Sequence, residues 1–248
     1  MRRIVLVTGG SRGIGRAVCR LAAARGYDVA VNYQGRAEAA EAVAAEVRAA
    51  GGRALTVQAD VADQAAVERM FDTVEAGLGK LDALVNNAGI INPAASLVEM
   101  PIATIERVIR VDLLGAFWCA REAARRMARS RGGKGGVIVN MSSMAAVFAG
   151  AGGFLPYGAA KAGVDALTEG LGKEIAGDGV RVCGLRPGLI ATEIQDDTGI
   201  PGRLEKLGPS VPIGRVGQPE EVAEAVLWLL SDAAGYVTAT SFNVSGGR

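Results

Sequence analysis

Tyr157 and Lys161 stand four residues apart, and Ser143 precedes the tyrosine by fourteen. On a helix, positions i and i+4 share a face, so the phenol and the ammonium lie side by side. A phenol ordinarily titrates at about 10, and a neighbouring cation favours its anionic form, as a group exchanging protons near neutrality requires. The serine hydroxyl adds a donor for an oxygen on which negative charge develops. These are the groups needed to add hydride and a proton to a carbonyl, or to reverse that step. Ser142 competes with Ser143 for the role. The spacing to Tyr157 favours Ser143 and leaves Ser142 as a local turn or backbone partner.

The chain opens with an apolar run, Ile4 to Val7, that leads into Thr8-Gly9-Gly10-Ser11-Arg12-Gly13-Ile14-Gly15. A glycine-rich turn between a strand and a helix is a cradle for phosphate, because backbone N–H groups and the positive helix end converge on it. Composition narrows the chemistry further. The 248 residues include no histidine, which excludes Ser-His-Asp and Cys-His nucleophilic sites and His-ligated zinc. The three cysteines, Cys19, Cys119 and Cys183, form no CxxC pair. They read as buried thiols in a reducing cytoplasm, with no metal site.

Net charge is +1 with no basic run, which excludes nucleic acid as an expected partner. The segment Met1-Arg2-Arg3-Ile4-Val5 is too short before the glycine turn for a secretory signal. The uncharged stretch from Gly135 to Ala160 is broken by Gly150, Gly152, Gly153 and Pro156, so no membrane span is expected.

Short β-rich runs alternate with alanine-rich helical stretches throughout. The expected strands are Ile4–Thr8, Asp28–Tyr33, Ala54–Ala59, Ala83–Asn86, Val137–Met141, Val180–Leu185 and Ser241–Val244. The expected helices are Ile14–Arg25, Ala37–Ala50, Gln64–Gly77, Ile105–Arg129, Gly158–Ile175 and Glu220–Leu230. Gly51-Gly52 stops one helix, Asp63 caps the next, and Pro219 with Glu220 and Glu221 suits a first turn. The pattern predicts an α/β, doubly wound (Rossmann-type) parallel sheet with helices on both faces, as one domain over residues 1–248. In such sheets ligands bind beyond the carboxyl ends of the strands, where the informative residues fall.

These motifs resemble the single-domain short-chain dehydrogenase/reductase family along essentially the whole chain. They are Thr8 to Gly15, Asp60-Val61, Asn86-Asn87-Ala88-Gly89, Ser143, Tyr157-x-x-x-Lys161, Pro187-Gly188 with Thr192, and Asn243 to Gly247. The likeness is greatest to 3-oxoacyl-carrier-protein reductases and to sugar or ketone dehydrogenases. The resemblance implies a seven-stranded sheet, a homotetramer built on the small-residue-rich helices, and a second task for Lys161 at the nicotinamide ribose. It also implies that Asp60 faces the adenine edge, Val61 packs on the ring, and Asn87, Ala88 and Gly89 line the adenosine ribose side. Ile190 and Thr192, past the cofactor-binding Pro187 and Gly188, correspond to positions touching the carboxamide.

One position departs from the family pattern. Asp112, in Val111-Asp112-Leu113-Leu114-Gly115, occupies the place of an asparagine associated with a water linking lysine to solvent. Ionised beside Lys161, it would favour the ammonium, oppose tyrosinate and move the pH optimum upward. Protonated or screened by solvent, it would have little effect.

An acidic residue at the end of the second strand selects NAD by bonding the ribose 2′-hydroxyl. Here the segment Val29 to Arg36, with Asn32, Tyr33 and Gln34 at its end, holds no carboxylate, while Ser11 and Arg12 offer donors to a 2′-phosphate. NADP(H) is therefore expected over NAD(H). Arg36 either joins that phosphate site or is a solvated loop charge.

The region from Leu189 to Val211 has the length and composition of a mobile lid. With Phe148, Phe154, Leu155, Leu189 and Ile194 nearby in motif order, it favours a hydrophobic carbonyl or alcohol substrate. Arg125, Arg126, Arg129 and Arg131 read more simply as a solvated helix end than as a carrier-protein patch. An NADP-binding regulator or scaffold is the competing class, and only Asp112 leans toward it.

Overall fold

The computed structural model describes residues 2–248. Seven strands form one parallel sheet: β1 (Arg3–Val7), β2 (Tyr27–Tyr33), β3 (Ala54–Gln58), β4 (Ala83–Asn86), β5 (Gly136–Met141), β6 (Val180–Pro187) and β7 (Thr240–Val244). Their order across the sheet is β3-β2-β1-β4-β5-β6-β7, all parallel. Strand order reverses between β1 and β4, and the crevice beyond their carboxyl ends is the binding position such topology creates.

Helices cover both faces, as crossovers between parallel strands demand. Side chains alternate along each strand, so Val5 and Val7 join one core while Ile4 and Leu6 join the other. The first core is closed by α1 (Gly13–Ala24), α2 (Ala37–Ala49) and α9 (Pro219–Leu230). The second is closed by α3 (Gln64–Gly77), α5 (Gly115–Met127) and α7 (Leu155–Ile175). Asp63 caps α3 by accepting from the amides of Ala65 and Ala66. Between the layers runs a polar chain. The Asn86 amide donates to Ala116 O (2.8 Å) and Asn140 Oδ1 (3.1 Å), and Asn140 donates to Thr168 Oγ1 (3.0 Å). Asn86 thus ties strands to helices.

The helix expected over 105–129 differs in an informative way. It starts earlier, as α4 (Ile102–Val108), widens into a π-helical turn over Ile109–Leu114, and resumes as α5. The break at its end follows from Ala128, whose extended backbone puts Arg129 in a separate short turn. Gly115 marks the resumption, since a Cβ there would lie 2.9 Å from Val61 Cγ2. A π turn adds one residue to the helical repeat and is often found at functional sites. Here it carries Asp112 into the interior, 1% exposed. Short helices α6 (Met144–Val147) and α8 (Arg203–Leu207) complete the fold. Among the described residues, no helix is long and apolar enough to cross a membrane.

Candidate active site

The glycine turn after β1 is held from two sides. Gly9 has φ +61°, a left-handed conformation natural to glycine, and its amide donates to Asn32 Oδ1 at 3.1 Å. The Asn87 side chain donates to Thr8 O and Gly9 O. A Cβ on Gly15 would sit 2.3 Å from Gly9 O, so this glycine packs the helix onto the turn and does not face the cleft. Gly9, Ser11, Arg12, Gly13 and Ile14 do face it. Arg12 precedes α1 without a side-chain cap, and the helix has no acidic residue in its first turn, so its free amides keep their positive field. A phosphate fits there.

At the cleft's far end the β2 terminus offers Asn32, Tyr33, Gln34 and Arg36, with Asp60 and Val61 opposite. The Asn32 amide nitrogen also donates to Val57 O and Ala59 O, so this residue clasps the glycine turn to the neighbouring strand. Asp60 accepts from Arg107 (3.0 Å), Gln34 (3.4 Å) and the Ala62 amide (2.9 Å). Arg107 also lines the cleft, and sequence reasoning missed it. Arg12 lies 3.5 Å from Asp197 in the segment beyond β6, while Arg36 has no carboxylate partner among the described residues. Asn87, Ala88 and Gly89 border the middle of the cleft.

Ser143 follows β5 and caps α6, its Oγ accepting from the Ala145 amide at 3.1 Å. The hydroxyl hydrogen stays free for another acceptor. Tyr157 and Lys161 project from the first turns of α7. Lys161 Nζ is 5.5 Å from the Tyr157 ring centroid and donates to Met141 O at 3.0 Å. Ser142 donates instead to the Lys161 carbonyl (3.0 Å), a backbone tie. Ser143, Tyr157 and Lys161 open onto the same cleft as the glycine turn.

Asp112 stands behind the lysine. Its Oδ1 is 3.9 Å from Lys161 Nζ and accepts from the Ile90 amide at 2.9 Å, while Oδ2 is buried without a partner. Gly89 leaves the space for this arrangement, since a Cβ there would lie 2.7 Å from Asp112 Oδ1. Burial pushes the Asp112 carboxyl up to about 6, against the opposing pull of Lys161, the Ile90 amide and Arg107. Screening by solvent is thus excluded.

A carboxyl whose folded pKa exceeds its unfolded value near 3.9 contributes stability fully below that value, and loses it as pH rises through about 6. Raising the pH from 5 to 8 should therefore remove about 1–1.5 kcal/mol of stability, a loss absent in Asp112→Asn. Denaturant unfolding of both proteins at the two pH values checks this. Identical pH dependence would rule Asp112 out as its source.

Beyond β6, Gly188 packs on Ser245, and the segment that follows folds over the cleft as short helical turns, Glu193–Thr198 and α8. Pro187, Gly188, Leu189, Ile190, Thr192 and Ile194 line it, with Phe148 and Phe154 across. Leu155, expected in this apolar set, is the first residue of α7 and turns outward, 42% exposed. Arg203 and Arg248 line the cleft instead.

A family model described as Enoyl-(Acyl carrier protein) reductase matches residues 9–248. An uncharacterized oxidoreductase of Escherichia coli (strain K12) is 46% identical over 245 residues, 99% of this chain and 99% of that protein. A 3-oxoacyl-[acyl-carrier-protein] reductase of Synechocystis sp. is 40% identical over 246 residues, 99% of this chain and 96% of its own length. Among solved structures, a short-chain type dehydrogenase/reductase from Mycobacterium marinum superposes with a TM-score of 0.93 at 33% identity, covering 99% of this chain and 94% of that one. The chain belongs to the short-chain dehydrogenase/reductase family, oxidoreductases that take a nicotinamide cofactor.

Proposed function

We propose that the protein interconverts a ketone or aldehyde with the corresponding alcohol, using NADP(H) and the Tyr157 hydroxyl as proton donor or acceptor. The observation that carries this reading is one continuous cleft. It joins the uncapped start of α1 at one end to Ser143, Tyr157 and Lys161 at the other. The nicotinamide, when bound, supplies or accepts the hydride. Ser143 directs its free hydroxyl hydrogen at the substrate oxygen, and Tyr157 delivers the proton to that same atom. The Lys161 ammonium stabilises the negative charge left on the phenol oxygen and reaches the ribose hydroxyls. Asp112 holds that ammonium in place from behind. Asp60 and Val61 receive the adenine, Asn87 to Gly89 its ribose, and Ile190 and Thr192, past Pro187 and Gly188, the carboxamide.

Phe148, Phe154, Leu189 and Ile194 suit a substrate with a hydrocarbon part, which keeps 3-oxoacyl thioesters beside simple ketones. A homotetramer is supported by exposed apolar side chains on two sides. Trp228 packs edge-on against Phe242 at 5.8 Å, while Leu114 and Phe117 stand on the π turn and α5. A reducing cytoplasm suits Cys19, Cys119 and Cys183, all buried and unpaired.

The choice of NADP(H) rests on the absence of a carboxylate from Asn32 to Arg36 and on Arg12 and Ser11 at the cleft. Charge-assisted bonds from arginine to phosphate give an expected preference of about 10- to 100-fold in kcat/KM for NADPH over NADH, largely lost in Arg12→Ala. The test is oxidation of each nucleotide across ketones, 3-oxoacyl thioesters and sugars. Equal efficiency with both would refute a phosphate-selective site. Nucleotide binding without turnover of any carbonyl would leave a regulator or scaffold.

A further inference from the structure

Two cations stand at the reactive end of the cleft without an anion to neutralise them. The Arg203 guanidinium, from α8, stacks 5.1 Å from the Phe154 ring centroid. That of Arg248 lies 5.8 Å from the Phe148 ring centroid. Both line the cleft with Ser143 and Tyr157. Phe154 precedes Tyr157 by three positions where α7 begins, so Arg203 stacks on the residue about one helical turn before the phenol. Arg203 donates to Gln195 Oε1, and no carboxylate among the described residues pairs with either guanidinium.

Several arginines elsewhere are neutralised by carboxylates. Arg25, Arg53, Arg126 and Arg186 each meet at least one carboxylate. In the cleft the two cations oppose one another. Burial, and then the charge of Arg248, make it harder for Arg203 to stay protonated, while Tyr157 acts the other way. Aromatic faces attract cations but leave their N–H edges free. Two guanidinium groups with no carboxylate among the described residues within 4 Å have N–H donors suited to a planar or tetrahedral oxyanion, which arginine binds in a forked manner.

We propose that the substrate of this cleft is an anion: a carbonyl compound whose carboxylate or phosphate is held by Arg203 and Arg248 while its carbonyl oxygen meets Ser143 and Tyr157. The apolar walls then take the carbon chain between the two ends. This reading rests on the carbonyl-reductase function proposed above and narrows its substrate class. It sets a free oxo or hydroxy acid, or a phosphate ester, above a neutral ketone.

The test separates recognition from turnover. The protein, with and without NADPH, is titrated calorimetrically with 3-hydroxybutanoate and 3-hydroxyoctanoate and with their neutral ethyl esters. Glycerol 3-phosphate and glycerol serve as a second matched pair. NADPH with an alcohol cannot react, so binding is read alone. At least one anion should bind about tenfold or more tightly than its neutral partner, with a preference that shrinks at high salt. Arg203→Ala and Arg248→Ala should each weaken the anion about tenfold and leave the neutral compound within about twofold, and Arg203→Lys should recover part of the loss.

Thermal melting confirms that the variants fold. NADPH affinity should be unchanged in them, and a matching loss there would instead assign the pair to the cofactor's phosphates and overturn the proposal. Equal affinity in every matched pair, no binding by any anion, or a preference that survives the double Arg203→Ala/Arg248→Ala variant would do the same. If the anions bind by these rules and none of the corresponding carbonyls is reduced, catalysis is refuted and the anion site stands.

Discussion

Replacing Tyr157 by phenylalanine is expected to lower kcat by about 10²- to 10⁴-fold, with nucleotide affinity nearly unchanged. The ring beside Lys161 stays, since its centroid lies 5.5 Å from the ammonium, and only the hydroxyl is lost. Without histidine anywhere in the chain, no imidazole can take over proton delivery. Ser143, whose Oγ already accepts from the Ala145 amide, can steady the substrate oxygen but is a poor acid. Single-turnover oxidation of bound NADPH by a ketone reads the effect directly. A variant within about tenfold of the parent would end the assignment of Tyr157.

Lys161→Met should be nearly as severe, about 10²- to 10³-fold in kcat, because it removes the charge that stabilises the phenol oxygen after proton release. Its effects reach further than those of Tyr157→Phe. Met141 O loses its donor, and Asp112 loses the cation that pulls its carboxyl down from the value burial alone would impose. The Asp112 carboxyl then rises above about 6, and the stability it loses on raising the pH becomes larger. The double variant Lys161→Met/Asp112→Asn should regain that stability without regaining turnover. Unfolding at pH 5 and 8 beside single-turnover rates separates the two effects. Recovery of turnover in the double variant would show that the lysine matters only as a partner for the aspartate.

Much of this architecture was legible from short-range pattern. Strand β4 and helix α3 lie where alternation and the Asp63 cap put them, and most other elements shift by one or two residues at their ends. The glycine turn, Ser143, Tyr157 and Lys161 were readable because each sits where a strand hands over to a helix, with its own local signal. Asp112 stood out by residue type. Its burial by a π turn did not, since periodicity alone presents 105–129 as a single helix. Helix α6 is four residues long and leans on the Ser143 cap, too short to show a period.

Other features depend on contacts between distant parts of the chain. Asn32 drew notice as a missing carboxylate, while its clasp on the Gly9 amide needs β2 and the turn already assembled. Arg203 over Phe154 and Arg248 over Phe148 join segments that share no motif, and Leu155 faces outward because α7 starts three residues before the periodicity places it. Apolar spacing finds walls. It does not find the lone charges that those walls admit.

The reversal of strand order has a consequence for how the chain is made. Thr8 Oγ1 accepts from the amide of Asn87, 79 positions later, and β1 pairs with β4 through Val7 and Val85. During synthesis β1, β2 and β3 can associate early, but one edge of β1 stays open until β4 emerges from the ribosome. That bare apolar edge is a template for wrong pairing between neighbouring nascent chains. Aggregation should therefore be worst when translation stalls between β3 and β4, before any nucleotide could be gripped.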